Sequence, residues 1–92
     1  MKVIVRYGAQ ARVAAGCASE EIELAAPISI KALLAHIAAR NEKGLRTLLL
    51  DTNGNTSPAV LIFVNEEQMS PGAAHQIRDG DEVEIISAIS GG

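Results

Sequence analysis

Ninety-two residues, 48% hydrophobic and 21% charged, suffice for one globular domain and are too few to enclose a deep catalytic cavity. A net charge of −3, with eight basic residues scattered between Lys2 and Arg78, excludes the concentrated basic face of a nucleic-acid binder. The single cysteine, Cys17, rules out an intrachain disulfide, and with His36 and His75 it cannot complete a four-ligand Cys/His metal site.

Lys2–Tyr7 (KVIVRY) alternates, with Val3, Val5 and Tyr7 on one side, and predicts a strand ended by Gly8. Ala9–Ala15 predicts a short helical turn closed by Gly16. Glu20–Leu24 predicts a second strand, with Ile22 and Leu24 inward and Glu21 and Glu23 in water. Ser29 is positioned as the N-cap of a helix over Ile30–Arg40, with Ile28 and Leu33 as its hydrophobic staple. Ile30, Leu33, Leu34, Ile37 and Ala38 form its apolar stripe, and Asn41 and Gly44 supply its stop.

Leu45 and Leu48–Leu50 form a cluster expected to cap one end of the core, followed by a turn-rich loop, Thr52–Pro58. Ala59–Val64 (AVLIFV) is apolar throughout and predicts a strand buried on both faces. Asn65-Glu66 turns into a short strand ending near Met69, and Ser70–Gly72 turns again. Arg78–Asp81 reads as a tight turn in which Gly80 takes positive φ, leading into a strand over Glu82–Ser87 with Val83 and Ile85 inward. Residues 88–92 read as a tail on a single domain spanning 1–92.

The order is β–β–α–β–β–β. The first and last strands are expected to pair in parallel at the centre of a mixed sheet of about five strands, with the helix on one face. That is an α+β, β-grasp arrangement of the ubiquitin type.

No side chain in the chain offers evident catalytic chemistry. His36 lies off the apolar stripe of its helix and His75 lies in a loop; neither has a Ser/Asp or Cys companion in view. Cys17 precedes Ser19-Glu20-Glu21 and lacks the positive neighbour that would activate a thiol, so it reads as a small residue filling a turn. The carboxylates Glu66-Glu67 and Asp79, Asp81, Glu82 and Glu84 read as a solvated face or a docking surface for a basic partner. No run is long enough for a signal peptide or a membrane span, so the expected location is the cytoplasm and no membrane contact is expected.

The terminal Gly91-Gly92 stands out against these: two glycines in the last two positions are roughly a 1-in-130 event on composition alone. Gly91 and Gly92 lack Cβ atoms and Ser90 is small, so Ser90-Gly91-Gly92 makes a thin leash able to thread a narrow channel. The group it delivers is a carboxylate, which reacts once a partner has converted it to an acyl-adenylate. A sulfur donor then gives a thiocarboxylate, or an amine gives an amide. No enzymatic activity of its own and no bound cofactor are expected; ATP is used by the partner.

Four segments resemble the ubiquitin-like sulfur carrier family, whose members include the molybdopterin synthase small subunit and the thiamine-pathway carrier. They are Ala9-x-x-Arg12-x-x-x-Gly16, Val64-Asn65-Glu66-Glu67, Asp79-Gly80-Asp81-Glu82-Val83 and Gly91-Gly92. The chain departs from the pattern at Val13, where an acidic residue is usual, and in Ile86–Ser90, which lacks the usual proline. The resemblance implies a thiocarboxylate on Gly92, used in molybdopterin (molybdenum cofactor) synthesis. The alternatives are a carrier for cysteine, thiamine or another thio-metabolite, and a protein modifier forming amides through Gly92. The partners implied are an adenylating enzyme of the ubiquitin-activating type, a sulfurtransferase or sulfide source, and a sulfur-accepting enzyme such as a molybdopterin synthase large subunit. Phe63, Ile86 and Ile89 are the candidate docking residues.

Overall fold

The computed structural model describes residues 1–40 and 44–87. Strand β1 (Lys2–Ala9) turns Val3, Val5 and Tyr7 into the core and leaves Lys2 and Arg6 exposed. It runs past the expected stop at Gly8, because its parallel neighbour continues the ladder: Gly8 pairs with Ile86 and Ala9 with Ser87. A Cβ on Gly8 would sit 3.1 Å from Ile86 Cγ1, so glycine lets the isoleucine lie across the strand.

Helix α1 (Gln10–Ala15) buries Ala11 and closes at Gly16, whose φ is 77° and whose N–H donates to the Arg12 carbonyl at 3.0 Å. Strand β2 (Ser19–Glu23) pairs antiparallel with β1, with Ile22 inward.

A two-residue strand β3 (Ile28–Ser29) leads into α2 (Ile30–Arg40). The helix buries Ile30, Leu33, Leu34, Ile37 and Ala38, the stripe that the spacing predicts. Ser29 Oγ accepts the Ala32 N–H at 3.0 Å, and Ile28 packs on the core that Leu33 enters. Asn41, part of the expected stop, lies outside the described residues; Gly44 opens α3 (Gly44–Leu49) rather than ending α2. Leu45, Leu48 and Leu49 are therefore helical, with Leu45 and Leu49 buried one turn apart, while Leu50 bridges to Thr56 just past the helix.

Strands β4 (Val60–Val64), β5 (Glu67–Met69), β6 (Gln76–Ile77) and β7 (Glu82–Ser87) complete the fold. The main sheet has order β2-β1-β7-β4-β5. β7 is its middle strand, parallel to β1 and antiparallel to β4. β3 and β6 form a separate two-stranded ladder that the sequence reading lacks, since two residues are too few to show a period.

Ala59–Val64, expected to be buried on both faces, is buried on one. Val60, Ile62 and Val64 are buried, but Leu61 is 40% exposed and Phe63 half-buried. The strand faces the core on one side only. The core cluster that joins α2, α3 and the sheet includes Val60, Ile62 and Val64 and omits Leu61 and Phe63. A uniformly apolar strand hides this alternation.

Candidate functional site

The two ends of β7 are built differently. At its start, Asn65 and Glu66 have φ of 50° and 73°, as a two-residue hairpin between β4 and β5 requires. Asparagine tolerates that backbone, and its side chain then ties the hairpin to β7. Asn65 Nδ2 donates to Asp81 Oδ1 at 3.0 Å, the Glu82 N–H donates to Asn65 Oδ1 at 3.0 Å, and the Asn65 N–H donates to the Glu82 carbonyl at 2.8 Å. The Arg78–Asp81 turn, with Gly80 at φ 84°, also holds β1. Asp79 Oδ1 accepts the Lys2 N–H at 2.8 Å, and the Gly80 N–H donates to the Lys2 carbonyl at 2.8 Å. Two of the segments that carry the family resemblance are thus one clamp that sets the register of the central strands.

At its far end, β7 finishes on Ser87, flanked by Ala9 of β1 and Val60 of β4. Residues 88–92 continue from there; Ile89, Ser90, Gly91 and Gly92 lie outside the described residues. Ser87 is fully buried, and its Oγ meets no hydrogen-bond partner among the described residues. Ala9 has φ 56° and ψ −132°.

The open face of the sheet divides into two halves. Toward the strand starts it is charged, with Arg6 paired to Glu82 at 3.2 Å. Toward Ser87 it is apolar. Ile86 is the register partner of both Gly8 and Leu61, and Phe63 lies on the same face one rung back, opposite Glu84. The docking candidates Phe63 and Ile86 are therefore brought together, both half-buried, while Ile89 lies outside the described residues. Leu61 belongs to this surface and was missed. A single main helix covers one sheet face, so an apolar strand must leave some of its side chains on the other; that signal was available. Val13 of α1 is 75% exposed, and with Leu61 it makes up the strongly exposed large hydrophobics among the described residues. Both sit close in sequence to the last rung, α1 following Ala9 and Leu61 following Val60.

Elsewhere the side chains have structural surroundings. His36 is exposed and His75 half-buried, and no hydrogen bond reaches either imidazole among the described residues. Cys17 is half-buried against the core. The Tyr7 hydroxyl donates to Glu20 Oε2 at 2.6 Å, and Arg40 Nη2 meets Glu20 Oε1 at 3.2 Å, which joins β1, β2 and the end of α2. Burial first, and then the hydrogen bond and charge of Glu20, push the Tyr7 phenol far above its ordinary value of 10.0. Among the described residues no cluster of His, Cys, Asp and Glu could hold a metal ion, and no helix is long and apolar enough to cross a membrane.

Similarity to known proteins follows the same lines. No curated protein sequence matches the chain. The fold is similar to that of SAMP1 from Haloferax volcanii, with a TM-score of 0.83 at 17% identity over 100% of both chains. It is also similar to Urm1 from Trypanosoma brucei, with a TM-score of 0.79 at 25% identity over 99% of this chain and 95% of that one. The Pyrococcus furiosus protein assigned as subunit 1 of molybdopterin converting factor is 29% identical over 97% of this chain and 99% of that one, with a TM-score of 0.74. These likenesses establish the ubiquitin-like β-grasp fold. The sequence profile of the ThiS family matches residues 5–92, and the chain belongs to this family of ubiquitin-like sulfur carriers.

Proposed function

We propose that the protein carries sulfur as a thiocarboxylate on Gly92. The observation that carries this reading is the Gly91-Gly92 pair, included in the family match and following in sequence on the middle strand of the sheet, which ends at Ser87. In the first step a carboxylate oxygen of Gly92 attacks the α-phosphorus of ATP on an adenylating partner, and pyrophosphate leaves. In the second, hydrosulfide attacks the carbonyl carbon; the C–O bond to AMP breaks, and a proton is released. On an acceptor enzyme the thiocarboxylate sulfur bonds to that enzyme's substrate, and water then cleaves the C–S bond and restores the Gly92 carboxylate. The chain supplies the reacting group and a rigid handle, while the partner supplies ATP binding and catalysis, so the chain is a co-substrate rather than an enzyme.

The acceptor we infer is a molybdopterin synthase large subunit, supported by the likeness to the Pyrococcus furiosus protein. Leu61, Phe63 and Ile86 supply an apolar surface beside the strand end, suited to hold a partner while the leash enters its site. Likeness to SAMP1, a small archaeal modifier protein, favours a second reading in which a lysine amine displaces AMP and forms an amide. Incubation with the cognate activating enzyme, ATP and sulfide separates the two. The carrier reading predicts exchange of one oxygen for sulfur at Gly92 by mass spectrometry. High-molecular-weight conjugates that vanish on deletion of Gly92, with no sulfur gain, would replace it with the modifier reading.

A further inference from the structure

Two unfavourable features fall on one rung of the sheet, the rung from which residues 88–92 continue. Ala9 has φ 56° and ψ −132°, a region open to glycine in which a Cβ crowds the backbone. The other positive-φ residues besides glycine among the described residues, Asn65 and Glu66, sit in a hairpin turn that requires that geometry. Ala9 instead lies at the junction of β1 and α1, at a position where glycine would remove the strain. Its register partner Ser87 is the one fully buried polar side chain among the described residues, and its hydroxyl meets no partner there. The earlier inward residues of β7, Val83 and Ile85, are apolar and fully buried. Two independent penalties therefore coincide at one end of the strand, opposite the end that the Asn65 side chain clamps.

We propose that Ala9 and Ser87 are positioning residues for the tail, which keep the last rung of β7 weak enough to open when a partner draws in residues 88–92. Peeling Ser87 away from Ala9 and Val60 lets Ala9 relax to an ordinary φ and gives the Ser87 hydroxyl to water, so both penalties vanish in the open form. Each residue released adds about 3.3 Å of reach. The Asn65 clamp stops the opening from running down the strand. The enzymatic part of this inference rests on Gly92 being the reacting group.

Ala9→Gly and Ser87→Ala, each in the full chain, test it. Both variants are expected to raise the denaturant midpoint and to slow hydrogen exchange at the Ser87 amide by about tenfold. The Val83 amide is expected to change no more than global stability does. With the cognate activating enzyme, KM for either variant is expected to rise several-fold with kcat unchanged, a split that a merely structural role would not produce. A wild-type Ser87 amide as protected as that of Val83, or exchange and KM unaltered in both variants, would overturn the proposal. A wild-type chain never adenylated by that enzyme would instead sink the Gly92 reading, since the exchange contrast is measured without the enzyme.

Discussion

Asn65 is exposed, yet it spends its side chain and its backbone on the alignment of three strands. Asn65→Ala removes both side-chain bonds and places an alanine at φ 50°, so a loss of about 1–3 kcal/mol is expected in denaturant unfolding. Asn65→Gly keeps the backbone and loses the bonds alone, so it should fall between the alanine variant and the wild type. Tyr7, the sole tyrosine, gives a second prediction at this scale. Its folded pKa is raised, so its contribution is fully present below the unfolded value of 10.0 and declines as pH climbs above it. The unfolded chain then releases a proton that the native chain keeps, and stability falls by up to about 1.4 kcal/mol per pH unit. Tyr7→Phe should lose that part of the slope, and phenolate absorbance in the wild type should appear together with unfolding; phenolate in the folded chain would contradict this account. The buried side of Tyr7 was legible from alternation. The positions that matter at the last rung were not, because alanine does not announce a positive φ and a serine at the end of IIS looks like any strand terminus.

Among the elements, α2 was the most legible, its cap, staple and stripe all encoded within Ile28–Ala38. Ser29→Ala should cost about 1 kcal/mol through the lost cap, read as a shift in the denaturant midpoint. Of the leucine cluster, Leu45 and Leu49 reach the core and Leu50 packs against it, whereas Leu48 stands outside the core cluster, and the helix itself is not legible in the sequence. A six-residue helix offers a single i, i+4 apolar pair, too little to stand out as a period. β4 misled for the opposite reason: its composition is so uniformly apolar that no alternation survives in the sequence. The consequence is functional, since the side chains thought buried form the apolar half of the open sheet face. Leu61→Asp should leave stability within about 0.5 kcal/mol, as exposed substitutions do, while raising KM for the activating enzyme. An unchanged KM would remove this surface from the docking account.

At the level of the whole molecule, the order of elements was enough to anticipate the parallel pairing of β1 with β7 and the central place of β7. Such a pairing brings the starts of both strands to one end, where the Asp79–Asp81 turn and Asn65 lock them together. It brings Ala9 and Ser87 to the other, where the chain passes toward Gly92. The charged half of the open face lies with the first end and the apolar half with the second. The molecule thus presents an apolar surface at the end of the sheet from which the chain continues to Gly92, an arrangement that suits the proposed carrier role. On the proposed function, Gly92 is the reacting group. The most direct test is the intact mass of the chain, and of a variant lacking Gly92, after incubation with the cognate activating enzyme, ATP and sulfide. The full chain is expected to gain the mass difference of sulfur over oxygen, localised to Gly92, and the shortened chain to gain nothing. An unchanged mass in the full chain, or an equal gain in both, would contradict it.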